Sequence, residues 1–422
     1  MKSTIRVTAI LAPVLAVSGV LLMAAGGQSL QFSDDLTVHE WGTFTSVAGE
    51  DGAAVSWDAL GCKNDLPAFV NDYGYRGFKW RLQGTVRMET PVLYFYSSRE
   101  MEAQVKVAFP QGLITEWYPN ADYQVFQKNT ADGSVRRLAA NLNGVDTSMR
   151  SLTGGIEWKN IKVQPGAAPA LPAESTPSRY YAARGTDAAP ITVDGQHEKF
   201  LFYRGVGRFP VPLSARVSAS GKIVMERRNQ EAVPSVFLFE SRQGRIGYRT
   251  AGLFDSTLTL DPPVLSGSFP PLRHDLETAL IAQGLFPKEA QAMVETWQDS
   301  WFEEGSRLIY IVPSSEVDAI LPLQITPTPA RTVRVFVGRI ELVTAETKQL
   351  VESAIANADW PAVDRYSRLL APILKRMYPS NPEKVAEIEH QFQNSEYSGA
   401  ANTGGCAAQP AQSVAQRAVS TR

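Results

Sequence analysis

The chain has 422 residues, with 41 basic and 43 acidic side chains, four histidines and two cysteines. Its 44% hydrophobic content is ample for a sizeable core, and its formal charge of -2 offers no basic surplus for neutralising phosphates, so nucleic acid is not an expected partner. Two cysteines exclude a disulfide-dense scaffold and a multi-thiolate metal site.

The N-terminus has the pattern of a secretory signal. Lys2 and Arg6 precede an uncharged apolar stretch, residues 7–25, and small residues follow at 25–27. Residues 1–27 are therefore predicted to direct export to the periplasm or the extracellular space. The stretch is almost long enough to span a bilayer, so retention of residues 7–25 as an inner-membrane anchor is the alternative, and the only predicted membrane contact.

The two cysteines would meet an oxidising compartment after export. Cys62 and Cys406 could then form a disulfide, or both could remain free thiols, and the sequence leaves both interpretations open. Cys406 lies in a segment of small residues, and residues 394–422 are predicted to be a disordered tail.

Residues 36–343 are predicted to form a β-rich body. Short segments alternate between apolar and polar residues, as in MEAQVKVAFP, where Val105, Val107 and Phe109 share one face. Turn residues separate these segments without regular intervening helices, which favours antiparallel sheets in a sandwich-like arrangement. The Pro- and Ala-rich stretch at 165–178 is either a surface loop or a boundary between two β units.

Helical periodicity appears in the last third of the chain. Ala290, Val294, Trp297 and Trp301 form one apolar stripe, which predicts a helical insertion over about 273–304. Residues 344–393 are predicted to form a helical C-terminal region that begins with Thr344 as a cap. The expected fold class is α+β and predominantly β.

The stretch VHEWGTFT, residues 38–45, is the most unusual in the sequence. If it is a strand, His39, Trp41, Thr43 and Thr45 share one face, and this polar and aromatic set could bind a sugar or a peptide. The alternative is structural: Trp41 fills the core and His39 bonds to a backbone carbonyl.

Acidic residues beside aromatic ones suggest a hydrolase as a second possibility. Glycosidase chemistry needs two carboxylates around the bond, and Glu116 and Glu40 are weak candidates for this role. Trp117, next to Glu116, is a candidate for ligand contact.

Three further charged residues are candidates for ligand contact, although structural roles are favoured for them. Arg184 and Asp187 are close enough in YYAARGTDAAP to form a local ion pair, and Arg204 could stabilise the turn after its strand.

Motifs for established chemistry are missing from the sequence. There is no Gly-x-Ser-x-Gly elbow, P-loop, dinucleotide fingerprint or His-Glu-x-x-His helix, so no cofactor is predicted. The dipeptide His-Glu occurs at 39–40 and 197–198, but adjacent strand residues face opposite sides, and no metal site is predicted.

Five blocks of the sequence resemble a family of uncharacterised exported bacterial proteins that share a VHEWGTFT-type N-terminal motif. These blocks are VHEWGTFTSVAGEDG, METPVLYFYS, FPQGLITEWYP, YYAARGTDAAP and RVFVGRIELVT, between about Thr37 and Thr344. The resemblance implies a cell-envelope setting, and it implies no activity, substrate or residue roles.

Three functions follow as hypotheses. The first is an exported envelope protein that binds a glycan or a protein, or is structural. The second is an extracytoplasmic hydrolase with carboxylate acid–base chemistry, so the sequence does not decide whether the protein is an enzyme. The third is an envelope assembly component that docks through its C-terminal helices.

Overall fold

The computed structural model describes residues 32–57, 59, 66–72, 84–128, 134–138, 152–175, 178–229, 231–252 and 256–395. The predictions for the signal segment, for Cys62 and Cys406 and for the tail beyond Ser395 lie outside these residues. Among the described residues, no helix combines the length and apolarity needed to cross a bilayer.

The described residues are mostly β. Their strands are β1 (Phe32–Val47), β2 (Asn71–Asp72), β3 (Val86–Tyr96), β4 (Met101–Phe109), β5 (Gly112–Tyr118), β6 (Asp122–Lys128), β7 (Val135–Arg137), β8 (Leu152–Val163), β9 (Ile191–Val193), β10 (Gln196–Glu198), β11 (Leu201–Gly207), β12 (Leu213–Val217), β13 (Ile223–Arg227), β14 (Val236–Arg242), β15 (Arg245–Ala251), β16 (Thr257–Leu260), β17 (Gly305–Val312), β18 (Leu323–Thr326) and β19 (Thr328–Leu342).

Helices are concentrated in the last third of the chain. The α-helices are α1 (Phe269–Ala282), α2 (Pro287–Trp301), α3 (Ser314–Ile320), α4 (Ala345–Ala356), α5 (Trp360–Asp364), α6 (Leu370–Met377) and α7 (Pro382–Asn394), and short 3-10 helices span Arg179–Arg184 and Ser367–Leu369.

A nine-stranded sheet forms the centre of the molecule, in the order β15-β14-β17-β19-β1-β3-β11-β5-β2. All its neighbouring strands are antiparallel except β1 and β19, which run parallel with Trp41 opposite Val335. A parallel pair needs a long connection, and here most of the chain lies between the two strands. The sequence suggested only antiparallel pairing, so this pair is a difference from the expected sheet.

A second β layer covers one face of the central sheet, which confirms the predicted sandwich-like α+β fold. It contains a seven-stranded sheet, built around β10-β9-β8-β4-β18 with β6 and β7, and the three-stranded sheet β12-β13-β16. Val105 and Val107 of β4 pack in one core with Val38 and Phe44 of β1. The alternation in MEAQVKVAFP therefore identified the buried face correctly.

Helices α1 and α2 cover the opposite face of the central sheet. Their core contains Trp41, Tyr94 and Val335 from the sheet and the whole predicted stripe of α2, including Trp297 and Trp301. The middle strands of the central sheet are thus covered on both faces, by a second β layer on one side and by helices on the other, whereas the edge strand β15 keeps exposed residues.

The C-terminal helices pack against one end of the β layers. Val351, Val363 and Ile373 are buried in a core with Val47 and Val206, from the ends of β1 and β11. Helix α4 begins after Thr344, whose hydroxyl accepts a hydrogen bond from the Thr347 N–H at 3.1 Å, the cap that the sequence suggested.

The described residues of the Pro- and Ala-rich stretch at 165–178 form neither helix nor strand. Together with the 3-10 helix Arg179–Arg184 they belong to the connection from β8 to β9, and these two strands are direct neighbours with Lys162 opposite Thr192. A boundary between two separate β units at this position is therefore wrong, because the strands on both sides of the stretch share a ladder.

Candidate functional site

The unusual opening stretch lies inside β1, beneath α2. His39, Trp41, Thr43 and Thr45 share the face towards the helices, as the strand periodicity predicts, but all four are at most 1% exposed. The hypothesis that these side chains form an exposed ligand-binding surface is therefore wrong, because α1 and α2 cover this face. Burial supports the structural interpretation, in which Trp41 belongs to the core.

His39 bonds to a carboxylate rather than to the expected backbone carbonyl. Its Nδ1 lies 2.7 Å from Oε2 of Glu289, in the first turn of α2, and neither side chain is exposed. The same carboxylate accepts a hydrogen bond from the Phe286 N–H at 2.8 Å and one from the Tyr96 hydroxyl at 2.8 Å. These contacts fasten α2 to the central sheet, and Tyr96 extends the cluster towards the surface.

Tyr96 lies in the wall of a cleft of about 630 Å³, here named the Tyr96 cleft. Ligand sites commonly have volumes in this range. The ends of β1 and β3, the loop after β8 and the segment before β9 supply the lining. The residues that line the cleft are Asp35, Thr37, Tyr96, Ser97, Ser98, Pro165, Gly166, Ala167, Thr186, Asp187, Ala188, Ala189, Pro190 and Lys199.

Hydrogen bonds and burial shift the pKa values of three titratable groups in the cleft. Hydrogen bonds from Ser98 keep the pKa of Asp35 below its ordinary value, so this carboxylate is ionised near neutral pH. Burial raises the pKa of Tyr96 and the charge of Glu289 adds to this effect, so the phenol stays protonated. Burial lowers the pKa of Lys199, whose ammonium group donates to the Thr186 carbonyl at 2.6 Å.

An exposed aromatic side chain lies next to the cleft. Phe286 is 39% exposed, and its ring meets that of Tyr96 edge-on with centroids 4.9 Å apart. Two residues further on, Lys288 forms an ion pair with Asp187 at 2.5 Å, which places the start of α2 at the cleft wall.

Arg184 and Asp187 do not form the predicted local ion pair. Arg184 instead contacts Glu198 through two guanidinium nitrogens, with its NH2 2.6 Å from Oε2, and stacks over Tyr181 at 4.4 Å. Burial raises the pKa of Glu198, against the opposing effect of Arg184. Asp187 instead forms an ion pair with Lys288, so Arg184 and Asp187 have different partners.

The pair of Arg184 and Glu198 lies beside a second, smaller cavity of about 30 Å³. Its other walls are aromatic or apolar, and they comprise Leu66, Pro67, Phe69, Val70, Tyr118, Tyr180, Tyr181, Phe200 and Phe202. The volume has room for one or two water molecules, so in this conformation the cavity holds no larger ligand.

The two weak candidates for acid–base catalysis form ion pairs inside the protein. Glu40 accepts a hydrogen bond from Tyr203 at 2.5 Å and pairs with Arg334 at 2.6 Å. Glu116 pairs with Arg204 at 3.0 Å, directly across β5 and β11. Both are at most 1% exposed and paired with arginine, and neither lines the Tyr96 cleft or the smaller cavity.

Arg204 and Trp117, two further candidates for ligand contact, make contacts inside the protein. Arg204 reaches Glu116 across the strands rather than the turn after β11, because cross-strand neighbours on one face lie close together. Trp117 is 9% exposed and stacks on Tyr123, with centroids 4.7 Å apart, in the core of the sandwich.

Metal-ligating residues do not cluster within the described part of the chain. No group of three or more His, Cys, Asp or Glu side chains there could hold a metal ion. The two His-Glu dipeptides lie in different sheets, with His39 on β1 and His197 on β10, where His197 contacts the Thr192 hydroxyl at 2.9 Å.

A second buried ionic cluster stabilises the end of α2. Arg307 is 0% exposed and donates to the carbonyl of Trp301, the last residue of α2, at 2.9 Å and to that of Glu304, just beyond the helix, at 2.9 Å. It also pairs with Glu341 at 3.1 Å. Arginine at a helix C-terminus is favourable electrostatically, so this cluster has a structural explanation.

The sequence did not single out the cleft residues Tyr96, Lys199 and Asp35 or the adjacent Glu289 and Phe286. Tyr96 lies at the end of the apolar run TPVLYFY, where it is typical of a strand end. Glu289 is one residue before the apolar stripe of α2, a position that suggests a solvated glutamate. Only the packing of α2 on the central sheet reveals their contacts.

Comparisons with protein families and with curated proteins give no indication of function. No protein-family model matches the sequence, and the curated proteins compared with it give no match. The described residues define a three-layer α+β protein, with a two-layer β core and a helical cover, and a polar cleft where the layers meet.

Proposed function

We propose that this chain is an exported protein of a bacterial envelope and that it binds a glycan in the Tyr96 cleft. The N-terminal pattern of the sequence supports export. The lining of the cleft supports the ligand class, because it combines hydroxyl groups, carboxylates and an adjacent aromatic face around one concave space.

Each part of the lining suits a sugar. Ser97, Ser98 and Asp35 offer hydroxyl and carboxylate groups that exchange hydrogen bonds with sugar hydroxyls. Phe286 offers a partly exposed aromatic ring beside Tyr96, which packs on His39 at 4.5 Å and can contact the apolar face of a sugar ring. The concave shape favours a small or chain-like ligand over a flat protein surface.

Phe286→Leu tests this proposal because it keeps most of the apolar volume but removes the flat face. We expect the full chain to bind at least one member of an oligosaccharide panel in isothermal titration calorimetry. We expect the variant to bind roughly two- to twelvefold more weakly, since aromatic contacts contribute about 0.5–1.5 kcal/mol.

Val264→Ala is the matched control, since Val264 is 72% exposed and lies next to β15, at an edge of the central sheet. Its affinity should equal that of the unchanged chain, and both variants should retain their melting temperature. The proposal would be contradicted if the full chain bound no oligosaccharide of the panel, or if both variants bound their ligand equally more weakly than the full chain.

A further inference from the structure

Lys199 is the single basic residue among the described residues that line the Tyr96 cleft. Its side chain is half-buried, and its ammonium group donates to the Thr186 carbonyl at 2.6 Å. An ammonium group has three N–H donors, so two remain for other acceptors. No carboxylate among the described residues forms an ion pair with it.

The acidic residues of the cleft are already engaged elsewhere. Asp187 pairs with Lys288 at 2.5 Å. Asp35 accepts hydrogen bonds from Ser98, at 2.9 Å from its hydroxyl, and lies 3.7 Å from Arg99. A partly desolvated cation without a contacting counter-ion is costly, and an anionic group of a ligand would remove that cost.

Tyr96 complements Lys199 on the wall of the same cleft. Its hydroxyl proton is donated to Glu289, so the phenol oxygen acts only as an acceptor, and because the Thr186 side chain already hydrogen-bonds to it, one lone pair remains for a ligand hydroxyl. The cleft therefore offers a cation for an anionic group and an acceptor for a hydroxyl group, and an acidic sugar carries both.

We propose that the glycan bound in the Tyr96 cleft is acidic and that its anionic group contacts Lys199. This inference rests on the proposed glycan-binding function and assigns Lys199 as the residue that determines charge specificity. The anionic group can be a carboxylate or a sulfate, since both accept hydrogen bonds from an ammonium group.

The test compares three trisaccharides of similar size by isothermal titration calorimetry: trigalacturonate, galactotriose and a sulfated galactotriose. We expect at least one anionic trimer to bind the full chain roughly tenfold or more tightly than the neutral trimer. In Lys199→Gln this preference should fall below about twofold, because the anionic trimers lose more affinity than galactotriose does. The anionic trimer that shows the preference identifies the anionic group.

Two variants control for charge and folding. Lys199→Arg keeps the cation and should retain most of the preference. Lys222→Gln removes one positive charge from an exposed lysine on the three-stranded sheet, paired with Asp261 at 3.1 Å, and should retain the preference fully. Equal loss in Lys222→Gln and Lys199→Gln would overturn the inference, because it would show a general charge effect.

The outcomes separate this inference from the proposed function. Equal affinity of the full chain for neutral and anionic trimers overturns the role of Lys199 and leaves glycan binding intact. Adipate, a dicarboxylate without hydroxyl groups, covers the reverse case: binding of adipate through Lys199 without binding of any trimer supports the anion site and contradicts the glycan. Failure of all four ligands overturns the role of Lys199, and failure of the whole oligosaccharide panel as well overturns the proposed function.

The pH dependence gives an independent readout with the sulfated trimer, whose charge is constant. Burial lowers the pKa of Lys199, with Asp187 and Glu198 raising it and Lys288 lowering it. The lysine therefore loses its proton at lower pH than an ordinary lysine. We expect the affinity for the sulfated trimer to fall as the pH rises through this lowered pKa, with no fall for galactotriose; parallel curves would overturn the inference.

Discussion

At the scale of single residues, Glu289 is the polar link between the central sheet and α2. Its carboxylate contacts His39, Tyr96 and the Phe286 N–H, and it is fully buried. Glu289→Ala leaves these three groups without their acceptor in a dry interior. We expect a loss of about 3 kcal/mol or more in the free energy of unfolding, measured by urea denaturation.

Two comparison variants show how much of this loss of stability comes from the buried contacts of Glu289. Tyr96→Phe removes one donor of the three and should cost about 1 kcal/mol. Glu295→Ala changes an exposed glutamate on the same helix and should stay within about 0.5 kcal/mol of the unchanged protein. If Glu289→Ala costs no more than Glu295→Ala, the buried contacts do not stabilise the packing of α2.

The sequence predicted which side chains of β1 share a face, but not what covers that face. Strand periodicity is local, and it placed His39 and Trp41 together correctly. Whether that face meets solvent or a helix depends on Glu289, which lies 250 residues away along the chain. A polar and aromatic face is typical of a binding surface, and here His39 instead bonds to a buried carboxylate.

At the scale of the elements, β11 packs so closely between β3 and β5 that one position excludes any side chain. A methyl group at Gly205 would collide with the backbone carbonyl oxygen of Leu113. The backbone of a paired strand cannot move without breaking its ladder. We therefore expect Gly205→Ala to cost about 3 kcal/mol in the free energy of unfolding by urea denaturation.

Gly155→Ala is the matched control within a strand. A methyl group at Gly155 of β8 would meet its nearest atom, the Val107 carbonyl oxygen, at an ordinary distance of 3.5 Å. This variant should change the free energy of unfolding by less than about 1 kcal/mol. Equal costs for the two variants would show that general strand propensity, rather than the approach of β5, limits Gly205.

Element types were predictable where the signal was local, and pairings were not. The apolar stripe of α2 and the cap at Thr344 come from residues three or four positions apart. The structure divides the predicted helical insertion into α1 and α2, with Gly284 at φ +108° just after α1. The parallel pairing of β1 with β19 has no local signal, because it joins opposite ends of the body.

At the scale of the whole molecule, the Tyr96 cleft exists only because distant segments meet. Asp35 and Tyr96 come from β1 and β3, the loop around Gly166 follows β8, and Asp187 and Lys199 flank β9 and β10. Each residue is unremarkable in its own stretch of sequence. Their combination depends on the order of strands in two sheets, which is why sequence patterns alone could not identify the cleft.

The C-terminal helices allow a prediction about the integrity of the whole fold. Val47, Leu113 and Val206 belong to the β layers, and they are buried in one core with residues from α4 to α7. Deletion of residues 344–422 would expose this apolar surface to water. We expect the shortened protein to aggregate, or to bind a hydrophobic dye strongly, because large exposed apolar patches favour association.

A shorter deletion separates loss of this core from loss of chain length. Removal of residues 396–422 takes away none of the helices α4 to α7, so this protein should elute in gel filtration with the oligomeric state of the full chain and unfold cooperatively. A monomeric and cooperatively folded protein after deletion of 344–422 would contradict the prediction. It would instead favour the hypothesis in which the C-terminal helices are a separate docking element, because a segment that covers no essential core is available to a partner.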